Sequence, residues 1–301
     1  MKERPSFYRQ RLILALISSF NGKLTRLDLQ KLLFLFMEEN FQKKKAYEFV
    51  PYHYGCYSFQ ANADLKTLHN YGFIYLDENT KKPISLYRDS NPLSMIKEED
   101  KSKLVSFVKK YDNLRGDDLI AHVYKSYPYY TLNSKIAHKF LKTKYKKESS
   151  LFPSIEDSLF TIGYEGITFE NYLNKLINND IGILCDVRKN PYSMKFGFSK
   201  NMLKHAVEQM GLKYIHLPEL GIESENRQEL NCLADYKKLF NDYELTTLQS
   251  EEALTALEYI FEVSKSEKIA LTCFEKDIDC CHRGVIAKKL FEKYELEYTN
   301  I

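Results

Sequence analysis

From residue 158 onward the chain repeats one phrase: a short apolar run, a stretch with helical periodicity, then a turn. "LFTIG" precedes "TFENYLNKLINN", and "IGILCDVR" precedes "SKNMLKHAVEQMG". "KYIHL" precedes two helical stretches across about 233–265, "KIALTCF" precedes "RGVIAKKLFEKY", and "LEYTNI" closes the series. This alternation leaves few architectures open, because parallel strands need a crossover and a helix is the usual one. Strands that are apolar on both faces belong at the buried centre of such a sheet. Residues 158–301 are therefore expected to form an α/β domain with a mainly parallel sheet flanked by helices. Thr168 is placed to cap the first helix and Gly211 to close the second.

The first half has another rhythm and reads as mainly α. Arg11 to Ser19 is apolar-rich, and "LTRLDLQKLLFLFMEE" carries Leu29, Leu32, Leu33 and Phe36 at helix spacing. A turn at Gly55, a helix from about Ser58, a turn at Gly72 and the hairpin "FIYLDENTKKPISLY" follow. Two more helical stretches end this half. Helix, turn, helix and a two-stranded wing make a winged-helix pattern, a geometry used for DNA and for protein contacts. The lysine-rich, Ser- and Pro-containing stretch "LKTKYKKESSLFPSIEDS" separates the halves. The expected division is 1–148, a linker at 149–157, and 158–301.

Charge divides at the same place. Residues 1–150 hold 27 Lys/Arg against 16 Asp/Glu, a net of +11; residues 151–301 hold 17 against 25, a net of −8. A basic half suggests contact with a polyanion, while attraction between the two halves would explain the same asymmetry. No apolar run reaches the length of a membrane span, and "MKERPSFYRQ" lacks a signal peptide's apolar core. A cytoplasmic protein that does not engage membrane is the expectation. The six cysteines then default to free thiols, ligands or catalysts. No Cys-x2-Cys pair is present, and adjacent Cys280 and Cys281 suit one tetrahedral ion poorly. No metal and no cofactor is expected; zinc held by Cys273, Cys280 or Cys281 and His282 is the weaker alternative, which elemental analysis would decide.

Parallel α/β sheets place ligand sites at the carboxyl ends of their strands. Those ends carry Tyr164 and Glu165, then Asp186 and Arg188, then Glu219, and finally Cys273, Glu275, Cys281, His282 and Arg283. Glu275 with Asp186 or Glu165 could form a general acid/base pair. Asp186 and Arg188 share a strand face, so they could equally form a structural ion pair. Glu275 could simply partner Arg283, and Cys273 could be an inert core thiol. Cys281, beside His282 and Arg283 at a helix start, sits where a thiol's pKa is lowered. Arg283 at that helix start could hold an oxyanion or phosphate. His205 and His216 read as structural.

"TIGYEG", "DVRKNPYSMKFGFSK", "YIHLPELG" and "CFEKDIDCCHRGVIA" resemble the DUF488 family, in the family's order. The resemblance implies the α/β fold and a shared pocket, and it lands on Asp186, Arg188, Ser193, Glu219, Cys273, Glu275, Cys281, His282 and Arg283. It supplies no reaction. Met194 stands where Arg or Lys is frequent, and Lys195 could substitute for it. A fainter similarity, an Asp-x-Arg and a Cys-containing loop leading to a helix, links this half to rhodanese-like and Cys-phosphatase-like domains. Here that loop is longer and carries Glu275 and Asp277, which oppose an anionic substrate. "LQKLLFLF", "FVPYHYGCYS" and "DLKTLHNYGFI" in the first half are similar to SocA-like or Panacea antitoxin and phage-associated modules, which implies a possible protein partner and a phage-defence setting.

The leading expectation is an enzyme that cleaves a glycosidic or phosphoester bond in a nucleotide or nucleic acid. Catalysis is assigned to Glu275, with Asp186 or Glu165 as second carboxylate and Cys281 and His282 shaping the pocket or supplying a nucleophile. Substrate binding is assigned to Arg188, Arg283, Tyr164, Ser193, Lys195, Glu219 and Cys273. The alternative is a non-catalytic regulator or sensor that binds DNA or protein and reads a nucleotide-like ligand. Thiol or sulfur-transfer chemistry at Cys281 is a third reading.

Overall fold

The structure is a computed structural model, and it describes residues 4–22, 24–42, 44–77, 82–87, 91–142, 158–223 and 233–301. The chain divides into two compact units, Met1–Glu148 and Ser149–Ile301. The stretch read as a linker, 149–157, lies outside the described residues.

The first unit is built around α2 (Arg26–Asn40), which is buried nearly all round from Asp28 to Met37. That pattern marks a central helix rather than a surface one. Thr25 caps it: its hydroxyl accepts from the Asp28 N–H at 3.1 Å, and its own N–H donates to Asp28 Oδ2 at 3.2 Å. Asp28 Oδ1 also accepts from the Gly116 N–H, tying α2 to the start of α5 (Gly116–Ser126). Side chains of α1 (Tyr8–Ser19), α3 (Phe59–Asn70), α4 (Glu98–Tyr111) and α5 complete one core with it. What reads in sequence as a turn at Gly55 is a full hairpin, β1 (Val50–Tyr52) with β2 (Gly55–Tyr57). β3 (Ile74–Tyr75) and β4 (Ser85–Leu86) pair over two residues each, where the sequence places a wing.

The second unit holds the sheet. Its strands are β5 (Leu159–Gly163), β6 (Ile183–Asp186), β7 (Lys213–His216), β8 (Ile269–Cys273) and β9 (Tyr298–Asn300). Every pairing is parallel, in the order β7-β6-β8-β5-β9. The connecting helices are α6 (Phe169–Asn178), α7 (Lys200–Gln209), α8 (Leu233–Leu245), α9 (Glu251–Ser264) and α10 (His282–Tyr294). Thr168 caps α6 through the Asn171 N–H, and Gly211 follows α7 with a positive φ of 86°.

Strand side chains alternate between two helical layers. Leu159, Ile183, Cys185, Ile269 and Leu271 pack with Leu257, Ile260, Ile286 and Leu290 of α9 and α10. On the other face the Tyr172 hydroxyl of α6 donates to Thr272 Oγ1 at 2.8 Å. Burying both faces of the central strands is what their unbroken apolar runs require.

Candidate functional site

The order β6-β8-β5 brings three carboxyl ends side by side. Gly163 pairs with Cys273 and Asp186 with Thr272, so Tyr164, Asp186 and Cys273 leave the sheet along one edge. Two polar clusters form there.

The first is centred on Asp186, which is fully buried. Its carboxylate accepts from Arg188 Nε at 2.8 Å, Arg188 Nη2 at 2.6 Å, the Arg188 backbone N–H at 3.2 Å and the Tyr214 hydroxyl at 2.6 Å. Arg188 Nη1 donates to the Tyr164 hydroxyl at 2.8 Å and to the Phe198 carbonyl at 2.9 Å. Four of the five guanidinium N–H groups are thereby committed among the described residues. Burial, reinforced by Asp186, raises the pKa of Tyr214, which keeps its phenol a donor. The Tyr164 ring stacks on Phe198 with centroids 4.2 Å apart. His216 Nε2 lies 2.9 Å from the Arg188 carbonyl.

The second cluster closes the loop between β8 and α10. Cys273 Sγ lies 3.2 Å from Glu275 Oε2, and Cys281 Sγ lies 3.0 Å from the same oxygen. Cys273 Sγ is also 3.5 Å from His282 Nδ1, and His282 Nε2 is 2.9 Å from the Val187 carbonyl. A carbonyl only accepts, so Nε2 carries a proton and Nδ1 is the ring atom that faces sulfur. Cys273, Cys281 and His282 are buried, and Glu275 is half-buried.

Gly163 permits this close packing, since a Cβ there would stand 1.9 Å from the Glu275 carbonyl oxygen. Arg283 holds the loop from beneath: Nη1 donates to the Glu275 carbonyl, and Nη2 to the Lys276 carbonyl at 3.0 Å. The sequence reading aims Arg283 at an anion, but the structure turns it inward. The residue is 0% exposed, and its Nε is buried without a hydrogen-bond partner among the described residues. Cys281 departs from expectation too. Burial pushes its thiol pKa up, with Cys273 and Glu275 adding to the rise, so a helix-start thiolate is not what this environment favours.

A cleft of about 300 Å³ opens beside both clusters, lined by Tyr164, Arg188, Lys189, Ser193, Cys273 and Phe274 among others. Tyr192 and Met194 also line it, and they are 77% and 90% exposed. Lys195 Nζ donates to the Tyr164 carbonyl, and burial lowers the pKa of that lysine. Glu165 is exposed, and its Oε2 accepts from the Lys276 N–H at 3.0 Å. Glu219 lies in the turn Pro218–Leu220 and is not among the residues described as lining the cleft. Asp186, expected as a second acid/base, is instead saturated by donors.

Sequence reasoning missed Tyr214 as a partner of Asp186, although it stands two residues before His216 on the same strand face. It also missed Lys31. In the first unit, Lys31 lines a cavity of about 330 Å³ with Tyr52, Tyr54, Gly55 and Cys56, its Nζ donating to the Tyr54 carbonyl. Burial lowers its pKa. The signal was a lysine directly before the apolar run Leu32–Phe36 in "LQKLLFLF".

Fold and site define a class: a parallel α/β domain with a polar cleft at the carboxyl edge of its sheet. The family model described as "Domain of unknown function DUF488" matches residues 168–290, within this second unit. The match takes in both clusters from Asp186 to Arg283 but leaves β5, with Tyr164 and Glu165, outside it. No curated protein matches the chain. Among the described residues, no helix is long and apolar enough to cross a membrane.

Proposed function

We propose that the α/β unit is a hydrolase or transferase that breaks a glycosidic or phosphoester bond in a nucleotide or nucleic acid. The observation that carries this reading is Glu275. Its half-buried carboxylate touches the sulfur of Cys273, which lines a cleft furnished with cations and aromatic rings. A carboxylate held this way can give or take a proton at a bound ligand. Tyr192 and Phe274, both exposed, offer rings on which a base can stack. Lys189 and the uncommitted N–H of Arg188 would meet phosphate; Lys189 now pairs with Glu223 at 2.9 Å. The basic first unit, read as winged-helix-like, would hold or deliver the nucleic acid.

The test is mass spectrometry of a mixed pool of nucleotides, NAD and single- and double-stranded oligonucleotides. The pool is incubated in parallel with the intact chain and with Glu275→Gln. A product mass made by the intact protein alone identifies the bond and supports the assignment. Undiminished turnover by the variant removes Glu275 from the chemistry. Selective retention of one pool member without turnover by either protein would make the unit a sensor.

A further inference from the structure

Four electron-rich atoms meet at the end of β8: the sulfurs of Cys273 and Cys281, Nδ1 of His282 and Oε2 of Glu275. Between them the two thiols bring two protons. Glu275 Oε2 lies within reach of both S–H groups, and the Cys273 proton is contested between that oxygen and Nδ1.

We propose that Cys273, Cys281 and His282 form a binding site for a divalent transition metal, zinc, with Glu275 beside the fourth position. The three donor atoms lie within 4.8 Å of one another, and all three residues are buried. Around a tetrahedral zinc with Zn–S of about 2.3 Å and Zn–N of about 2.0 Å, neighbouring donors stand about 3.5–3.8 Å apart. The Cys273 sulfur and His282 Nδ1 are already 3.5 Å apart. Two thiols and one imidazole form a soft set that favours zinc over magnesium or calcium.

The surroundings are those of a ligand set. His282 donates its other ring N–H to the Val187 carbonyl, which fixes the tautomer that exposes Nδ1. Arg283 grips the Glu275 and Lys276 carbonyls and so fixes the turn between the two cysteines. The sequence argument against chelation concerned the adjacent pair Cys280 and Cys281. The structure selects Cys281 alone from that pair and joins it to Cys273 across the loop. Three protein ligands leave one position open, as in catalytic rather than closed structural zinc sites. A carboxylate next to that position can take a proton from a metal-bound water. Loading exchanges two protons for one zinc ion: two Zn–S bonds and one Zn–N bond form, both thiol protons leave to solvent, and no redox change occurs.

The test uses the full chain, purified without chelator or polyhistidine tag, with zinc measured by elemental analysis. The protein is then stripped, reloaded with Co²⁺ and scanned for thiolate-to-cobalt absorption and the intense visible bands of a tetrahedral site. The expected result is roughly one equivalent of zinc per chain and both sets of bands. Cys273→Ser, Cys281→Ser and His282→Gln should each weaken binding by at least about a hundredfold, and Cys280→Ser should leave it unchanged. A folded wild-type chain that holds no zinc and gives no cobalt–thiolate band would overturn the site, as would bands that survive both Cys273→Ser and Cys281→Ser. The wild-type arm does not depend on any variant folding. The readout is also separate from turnover. Zinc bound with no product from any pool member would sink the proposed enzyme and keep the site, and turnover by a chain without cobalt bands would do the reverse.

Discussion

Two strands that lie next to each other end in polar clusters of opposite character. At the end of β6, one buried carboxylate accepts from four donors at 2.6–3.2 Å, and the arginine that supplies three of them spends most of its remaining N–H groups on Tyr164 and Phe198. At the end of β8, two weak S–H donors are divided among a carboxylate oxygen and an imidazole nitrogen at 3.0–3.5 Å. Both clusters are rich in titratable groups, and composition alone would rank them equal. The kind of contact separates them: the first is a charged carboxylate–guanidinium clasp, and the second gathers two sulfurs, an imidazole nitrogen and a carboxylate oxygen around one point.

The contrast can be broken experimentally. The largest effect on stability is expected from Arg188→Met, which leaves Asp186 buried without its cation. Loss of one partner from a buried pair costs about 3–5 kcal/mol. Urea unfolding would show it, and a loss below about 1 kcal/mol would mean that the clasp is not what holds this edge. Glu275→Gln should divide the other way: turnover falls by at least about 10²-fold while the urea midpoint moves little, since the amide keeps the shape and one acceptor oxygen. If the midpoint falls as far as in Arg188→Met, the β8 cluster is a clasp as well. Tyr214→Phe removes one of four donors to Asp186 and is expected to cost about 1 kcal/mol, with turnover unaffected. The smallest effect is kinetic. Cys280 is half-exposed whereas Cys273 and Cys281 are buried, so mild alkylation of the native chain, read by peptide mass spectrometry, should label Cys280 first. Labelling of Cys281 ahead of Cys280 would mean that the loop opens readily.

The sheet was legible because its signals are local. Apolar runs of strand length, Thr168 at a helix start and Gly211 at a helix end each act within a few residues. The convergence of Tyr164, Asp186 and Cys273 was legible as well, since it follows from parallel strands ending at one edge. What the chain order concealed was how the loop folds back between Cys273 and His282. Nothing in the spacing distinguishes Cys280 from Cys281 as the partner of Cys273, or tells whether Arg283 points out to an anion or in to the Glu275 carbonyl. That choice is set by Gly163, which has room for the Glu275 carbonyl only because it lacks a Cβ. The hairpin at Gly55 was hidden for a related reason: its strands are three residues long, too short to show alternation.

The strand order also bears on how the protein is made. β5 and β6 follow each other in sequence but never pair; β8 lies between them and leaves the ribosome more than eighty residues after β6. Until it arrives, both strands present bare backbone edges, the condition under which chains associate wrongly. A transcript cut short before residue 269 would therefore yield not a smaller working domain but a sticky fragment, and the cleft can form only when the whole second unit does.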